Sequence, residues 1–302
     1  MLTFLASALL LPLPIQTASL PSYQVSSSEN VNVDISPDNK SIVFTCYKDF
    51  SIDNGEIWLM DIETKKARKI GDGDDATFSA DGKKIAYAHW PDGEEGSEIY
   101  TMDLDGKNAK RLTNSEDECW DPTWSPDGKK IVYVTSGDEF ETTQLMQVSA
   151  SGGEPKQIVK LSTSFTPVYH PTEHQVYFCS YTEITKEIFS MAVFSWKEGS
   201  LEAIFRKPTS EQFDFYSCAI SRDGKFIGYE VADLESESSE IVISEFSGKN
   251  EKKFGQFPTV QSLCIGKGGE FVIASIPSAE DGLSATLYLL QGEKRTALTN
   301  GK

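Results

Sequence analysis

The stretch Thr123–Tyr133 reads TWSPDGKKIVY, a tight turn followed by the start of an apolar strand. Pro126 holds φ at about −65° in the second turn position, and Gly128 can take the left-handed conformation that returns the chain to a strand. The apolar run at residues 131–133 is typical of a buried strand. The stretch therefore predicts a β-hairpin and not a catalytic loop.

This hairpin phrase occurs six times along the chain. The copies are DISPDNKSIVF (34–44), TFSADGKKIAY (77–87), TWSPDGKKIVY (123–133), VYHPTEHQVYF (168–178), AISRDGKFIGY (219–229) and the degraded CIGKGGEFVIA (264–274). Their anchor residues, spaced 43, 46, 45, 51 and 45 residues apart, are Ser36, Ser79, Ser125, His170, Ser221 and Gly266. This period, with two further shared phrases per copy, is typical of propeller blades. We therefore predict an all-β fold, a six-bladed β-propeller of four-stranded antiparallel blades.

The N-terminal segment differs in composition from the repeats. No charged side chain occurs in Met1–Leu20, and the apolar run Leu2–Ile15 is too short to cross a bilayer. Small residues at Thr17–Ser19 provide a cleavage pattern. We therefore predict a signal peptide at residues 1–19 and a mature chain that is periplasmic or secreted, monomeric and not inserted in the membrane.

The rest of the chain divides according to the repeat. Residues 20–30 form an N-terminal extension, and residues 31–302 form the propeller. The predicted blades span about 31–71, 72–114, 115–160, 161–209, 210–256 and 257–302. Two ways of closing the ring are open: residues 22–30 add an outer strand to the last blade, or Arg295–Thr299 completes that blade alone.

Acidic residues outnumber basic ones, with 46 Asp and Glu against 28 Lys and Arg and a net charge of −18. Such a surface repels nucleic acid phosphates and anionic lipid headgroups, so we expect no nucleic-acid partner.

The negative charge is concentrated at one end of the predicted propeller. The connections between second and third strands share that end with the connections between blades. The first set (48–56, 92–98, 138–141, 183–187, 233–240, 280–281) has 18 acidic and 2 basic residues. The second set (29–32, 72–75, 116–121, 160–166, 206–217, 258–262) has 10 acidic and 3 basic residues. We call both sets together the acidic loop end; the rest of the chain has 18 acidic and 23 basic residues.

A small polar or acidic residue occurs four positions before each anchor. These six residues are Asn32, Asp75, Asp121, Thr166, Ser217 and Ser262. Because innermost strands converge on the propeller axis, we expect them to surround the mouth of the central channel. In three blades the residue directly before this position is aromatic, and we expect these residues to form an aromatic edge: Trp120, Phe165 and Tyr216. Such residues are enriched in binding sites, and core packing between blades is the alternative explanation.

Two interpretations of the channel mouth are open. The residues are either a solvated rim or a site for a ligand, partner or cation centred on Asp75 and Asp121. Carboxylates are hard ligands, so calcium at Asp74, Asp75 and Asp121 is a candidate, although no ordered calcium-binding loop occurs.

The phrases WSPDGKKIVYV (124–134) and IYTMDLDGKNAKRLT (99–113) resemble TolB-type β-propeller repeats, a WD-like family common in bacterial envelope proteins. The resemblance covers roughly residues 30–299. TolB translocation proteins carry an additional α/β domain before the propeller, which this sequence does not show. Related propellers are partner-binding platforms, lyases and accessory domains of peptidases, so the resemblance implies the fold more specifically than the function.

Catalytic motifs are scarce. The Gly-x-Ser-x-Gly elbow of related peptidases does not occur. The resemblance implies a His-rich metal centre for the related lyases. This chain has 3 histidines, a number that argues against that activity. We therefore predict a non-enzymatic binding module that docks a basic envelope protein, a peptide or a cationic ligand on the acidic loop end and channel mouth. The alternative is an enzyme acting on a glycan, as a lyase or hydrolase, through channel-mouth carboxylates.

The five cysteines are Cys46, Cys119, Cys179, Cys218 and Cys264. The number is odd, so at least one is unpaired or paired between chains. Four of them lie in apolar strand-like runs, where cysteine usually serves as a small buried hydrophobe. The sequence leaves open whether any disulfide forms.

Overall fold

The computed structural model describes residues 25–26, 32–47, 55–94, 96–136, 143–161, 164–185, 188–205, 213–214, 218–233, 238–277 and 284–299. The predicted signal peptide lies outside these residues. No helix in the described ranges is both long enough and apolar enough to cross a membrane. The single helical element there is a 3₁₀ turn at Lys267–Gly269.

The strands form six antiparallel sheets arranged as the blades of a propeller, which confirms the predicted fold class. Blades 1 to 3 consist of β2 (Val33–Ile35), β3 (Ser41–Tyr47), β4 (Gly55–Asp61), β5 (Ala67–Asp72); β6 (Asp74–Phe78), β7 (Lys84–His89), β8 (Glu98–Asp103), β9 (Lys110–Arg111); and β10 (Cys119–Trp124), β11 (Lys130–Ser136), β12 (Thr143–Ser149), β13 (Lys156–Leu161). Blades 4 to 6 consist of β14 (Ser164–Tyr169), β15 (Val176–Thr185), β16 (Ile188–Lys197), β17 (Ser200–Phe205); β18 (Phe213–Asp214), β19 (Cys218–Ile220), β20 (Phe226–Asp233), β21 (Ser238–Glu245), β22 (Lys252–Phe257); and β23 (Ser262–Ile265), β24 (Val272–Pro277), β25 (Ser284–Gln291), β26 (Lys294–Ala297). In blade 5, β18 and β19 both pair with β20 and share the inner position.

Both candidate segments contribute to closing the ring. The N-terminal strand β1 (Val25–Ser26) pairs with the first residues of β25, and β26 pairs with its last residues. The outer position of blade 6 therefore combines a strand from the N-terminal extension with one from the C-terminal end.

The hairpin turn between the first two strands is held by the anchor side chain. In blade 3, Ser125 Oγ donates to Asp127 Oδ1 (2.7 Å) and accepts from the Lys130 N–H (2.9 Å). Gly128 has φ of 67°, the left-handed conformation expected from the sequence. The same serine and aspartate contact recurs in blades 1, 2 and 5. In blade 4, His170 Nδ1 accepts the Glu173 N–H (3.1 Å), so histidine replaces serine without loss of the turn.

The apolar core lies between adjacent blades. One large residue before each anchor is buried in every blade: Ile35, Phe78, Trp124, Tyr169, Ile220 and Ile265. Blades 1 and 2, for example, share a cluster that contains Ile57 of β4 and Tyr87 of β7. This face-to-face packing directs the inner strands toward the axis, where the candidate site lies.

Candidate functional site

The inner strands of blades 2, 3 and 4 contain a β-bulge at the predicted channel-mouth position. Asp75, Asp121 and Thr166 have φ of 52°, 49° and 35°, and the register of each strand shifts there by one residue. Asp and Asn tolerate this left-handed conformation better than most other residues. The aspartates at positions 75 and 121 thus suit the backbone conformation of the bulge as well as the expected proximity to the axis, whereas the β-branched Thr166 does not.

The bulges bring the channel-mouth residues of blades 1, 2 and 3 together. The Asn32 side-chain amide donates to Asp121 Oδ1 (2.8 Å) and, more weakly, to Asp75 Oδ1 (3.5 Å). The Asp121 N–H donates to Asp75 Oδ2 (3.1 Å). The Thr166 N–H bonds in turn to Asp121. Each bulge carboxylate therefore receives the backbone N–H of the next blade.

Burial dominates the electrostatics of this cluster. Asp75 and Asp121 are only 2% and 5% exposed. Burial raises the pKa of Asp74 to about 7 and that of Asp121 to about 6, and the Asn32 and Thr166 donors partly oppose the shift at Asp121. Burial and the neighbouring carboxylates raise the pKa of Asp75 well above its usual range. The aspartates of this cluster therefore retain protons closer to neutral pH than exposed aspartates do, because little positive charge lies nearby to stabilise their ionised form.

The other predicted site residues differ in their surroundings. Trp120 is partly buried against the core between blades 3 and 4. This position agrees with the alternative explanation for the residue, core packing between blades. Thr166 is half-buried and lines the channel. Ser262 is buried, and its hydroxyl has no hydrogen-bond partner among the described residues. Tyr216 and Ser217 lie outside the described residues.

The geometry offers little support for calcium at Asp74, Asp75 and Asp121. Among the described residues, no three His, Cys, Asp or Glu side chains are arranged to hold a metal ion. The Asp75 and Asp121 carboxylates face N–H donors, which compete with a cation for the same oxygens. Calcium binding stays a prediction, and a rise in melting temperature that a chelator reverses is its test.

A central channel of about 150 Å³ runs between the inner strands. Asn32 and Thr166 line it toward the loop end, and Pro37, Pro126 and Arg222 line it toward the turn end. The Arg222 guanidinium lies 2.5 Å from the Asp34 carboxylate, so an ion pair from blades 5 and 1 occupies the channel.

Sequence reasoning missed this ion pair, although both residues depart from the repeat. Arg222 stands where three other blades have proline, and Asp34 stands where the other blades have Thr, Val, Ala or Cys. These two departures from the repeat are the sequence signal that could have revealed the ion pair.

The acidic loop end is partly neutralised by bases from the outer strands. Lys69 Nζ lies 2.9 Å from Glu56, and Lys253 Nζ lies 2.6 Å from Glu240. Arg111 bonds to both Glu94 and Glu98 (2.7 Å each). These three bases were counted with the opposite end, so the predicted charge excess is overestimated by three.

An exposed acidic cluster remains on blades 2 and 3. We call it the acidic patch, and it consists of Asp92, Glu94, Glu116, Asp117 and Glu118. Its two loops are joined because the Ser97 hydroxyl donates to the Cys119 carbonyl (2.8 Å) and the Cys119 N–H donates to the Ser97 carbonyl (2.9 Å). The patch is therefore a continuous surface fixed to two adjacent blades.

Comparison with known proteins gives one family and a set of similar folds. The model of the TolB beta propeller domain matches residues 22–212. No curated protein matches the chain in sequence.

Three solved structures illustrate the similarity. The putative TolB from Agrobacterium tumefaciens has a TM-score of 0.61 and 18% identity, over 77% of this chain and 84% of that one. The oligogalacturonate lyase of Vibrio parahaemolyticus has a TM-score of 0.59 and 16% identity, over 92% and 78%. The β-propeller domain of the Trilobed protease from Pyrococcus furiosus has a TM-score of 0.57 and 14% identity, over 93% and 99%. At these identities the similarity is one of fold, and the three proteins differ in function.

Proposed function

Because the chain belongs to the TolB β-propeller family, we propose that it is an exported, non-enzymatic binding module that docks a basic protein segment at its acidic loop end. The observation that carries the proposal is the unequal distribution of charge. The loop end has 28 of the 46 acidic residues. Three of them, Asp74, Asp75 and Asp121, are buried and contribute little surface charge, and three bases from outer strands offset a further small part of the excess. A surface of this kind accelerates association with a cationic partner.

The acidic patch on blades 2 and 3 is the proposed centre of docking. Its side chains are exposed, and of its five carboxylates only Glu94 has a basic partner among the described residues. Carboxylates without a base nearby can bind the Lys and Arg side chains of a partner with little loss of existing bonds. The half-buried Asn32 and Thr166 at the channel mouth extend this surface toward the axis.

The burial of the channel-mouth carboxylates favours binding over catalysis. A glycan-cleaving pair of acids must reach its substrate. Asp75 and Asp121 are covered, and both accept from the Asn32 amide. In addition, Asp75 accepts the Asp121 N–H and Asp121 accepts the Thr166 N–H. Export to the periplasm or the medium rests on the predicted signal peptide and the family resemblance, and the intact mass of the exported chain tests cleavage near Ser19.

Charge reversal at the two ends of the propeller tests the proposal. The probe is a fluorescent ten-residue oligolysine peptide, whose binding is followed by anisotropy in low and high salt. The test variant is Glu116→Lys/Asp117→Lys/Glu118→Lys. The control, with the same change in net charge, is Glu63→Lys/Glu154→Lys/Glu293→Lys, at exposed sites of the turn end.

The two variants have different expected results. Since an exposed charge pair contributes up to about 1 kcal/mol, the loop-end variant should bind the peptide on the order of tenfold more weakly. The turn-end control should bind almost as well as the natural chain, and salt should weaken binding to both. Equal losses in the two variants would mean that only net charge matters and would refute a specific docking end.

A further inference from the structure

Two of the cysteines meet at the boundary between blades 4 and 5. Cys179 of β15 and Cys218 of β19 belong to the same buried apolar cluster. Cys179 pairs with Phe165 of β14, and Cys218 Sγ lies 3.8 Å from the carbonyl oxygen of Thr166, the next residue in that strand. Both cysteines therefore flank the same point of the inner strand of blade 4.

The repeat explains why these two residues meet. The ninth position after the anchor is Cys179 in blade 4 and Glu230 in blade 5. Glu230 Oε1 accepts the Val260 N–H (3.0 Å), so this position contacts the segment that enters the following blade. Cys179, at the equivalent position of blade 4, also faces the following blade and lies beside Cys218, where the two thiols interact. That interaction, together with burial, raises the pKa of Cys179 well above its usual range.

We propose that Cys179 and Cys218 form a disulfide bond that links blades 4 and 5 when the chain folds in an oxidising medium. In this structure both are thiols. One thiolate attacks a small-molecule disulfide such as glutathione disulfide and releases one glutathione thiolate. The second cysteine then displaces the other glutathione, so two thiols are oxidised and one external disulfide is reduced to two thiols.

Burial determines when the bond forms. Cys179 and Cys218 are 0% and 2% exposed, so a soluble disulfide cannot reach either sulfur in the folded ring. The folded, reduced ring is therefore a poor substrate for a soluble oxidant. Oxidation proceeds during folding, before the two blades close over the thiols, and the finished ring then protects the bond from reduction.

Thiol counting after refolding tests the proposal. The full chain is unfolded and reduced, then refolded either with reduced glutathione alone or with a mixture of oxidised and reduced glutathione. Both samples are labelled with a maleimide in denaturant, weighed as intact protein and mapped by proteolysis without reduction. All five thiols should label after reducing refolding. After oxidative refolding, two fewer should label, and the peptides that contain Cys179 and Cys218 should be joined.

Two matched variants distinguish this pair from others. Cys46→Ser should keep the bond, whereas Cys179→Ser should leave all four remaining cysteines open to labelling. If Cys179→Ser does not refold, as judged by circular dichroism, Cys218→Ala provides the same comparison. Full labelling of all five thiols after oxidative refolding to the native state would overturn the proposal, as would a disulfide between any other two cysteines.

Discussion

The Arg222 guanidinium of blade 5 reaches past the inner strand of blade 6 and contacts the Asp34 carboxylate of blade 1 at 2.5 Å. Asp34 also accepts hydrogen bonds from the Thr77 hydroxyl (2.9 Å) and the Phe78 N–H (2.8 Å) of blade 2. One carboxylate therefore connects the two sides of the ring closure. This connection lies in the channel, whereas the pairing of β1 with β25 lies at the rim.

The bonds of Asp34 predict unequal effects of removing the two partners. Asp34→Ala leaves the Phe78 N–H and Arg222 without their acceptor, so the free energy of unfolding should fall by about 2–3 kcal/mol. Arg222→Met leaves Asp34 with three remaining donors and should cost about 1 kcal/mol. Urea unfolding followed by circular dichroism measures both.

A neighbouring lysine provides the control for this experiment. Lys225 lies in the same turn as Arg222, is exposed, and has its Nζ 3.9 Å from Asp223. Lys225→Met should change the free energy of unfolding by less than about 0.5 kcal/mol. If Asp34→Ala proved as mild as this control, the ion pair would have no role in closing the ring.

The buried carboxylates predict a dependence of stability on pH. The folded-state pKa of Asp74 is about 7 and that of Asp121 about 6, both above the ordinary aspartate value of 3.8. Between these values the folded state binds more protons than the unfolded state, so stability from this cluster falls as pH rises. The decrease due to Asp74 and Asp121 should run from about pH 4 to about pH 7.

Melting temperatures at several pH values, compared between the natural chain and Asp74→Asn, measure this effect. The amide cannot ionise, so the variant should lose stability less steeply between pH 5 and pH 7. Glu63→Gln, at an exposed site, should leave the slope unchanged. A natural chain whose stability rises across this range relative to Asp74→Asn would contradict the assignment.

The fold was predictable because one short phrase encodes both a turn and the strand after it. The Ser125 side chain and Gly128 determine the turn locally, and the recurrence of this phrase determines the number of blades. The sequence pattern indicated which residues lie near the channel mouth, but not the backbone conformation and hydrogen bonds that hold them there. The left-handed φ of Asp75 and Asp121 depends on a bulge, and their bonds come from blades 43 to 89 residues away in sequence.

Long-range side-chain contacts were not predictable from the repeat. Asp34 and Arg222 are 188 residues apart, and only the ring brings them together. The predicted charge excess of the loop end was too large for a related reason. The charge count assigned Lys69 and Arg111 by their position in the chain, whereas outer-strand side chains reach back to the glutamates at the start of the neighbouring strand.

The turn serine predicts a specific loss of stability. Ser125 is fully buried, and its hydroxyl bonds to both Asp127 and the Lys130 N–H. Ser125→Ala leaves that N–H without its side-chain acceptor and should cost about 1–2 kcal/mol in urea unfolding. Ser151→Ala, an exposed serine in another turn of the same blade, should cost less than about 0.5 kcal/mol. Similar losses for both would show that the repeated serine does not hold the hairpin.

The strained bulge in blade 4 predicts a stabilising substitution. Thr166 has φ of 35°, a conformation that is unfavourable for a β-branched residue and more favourable for asparagine. Thr166→Asn should therefore raise the free energy of unfolding by about 0.5–1 kcal/mol, because the backbone N–H to Asp121 is retained while the strain decreases. Thr166→Val keeps the β-branch and so provides the matched control, which should bring no gain. Equilibrium unfolding in urea distinguishes the two variants. If valine stabilised the chain as much as asparagine, the gain would come from apolar contacts in the channel and not from relief of backbone strain.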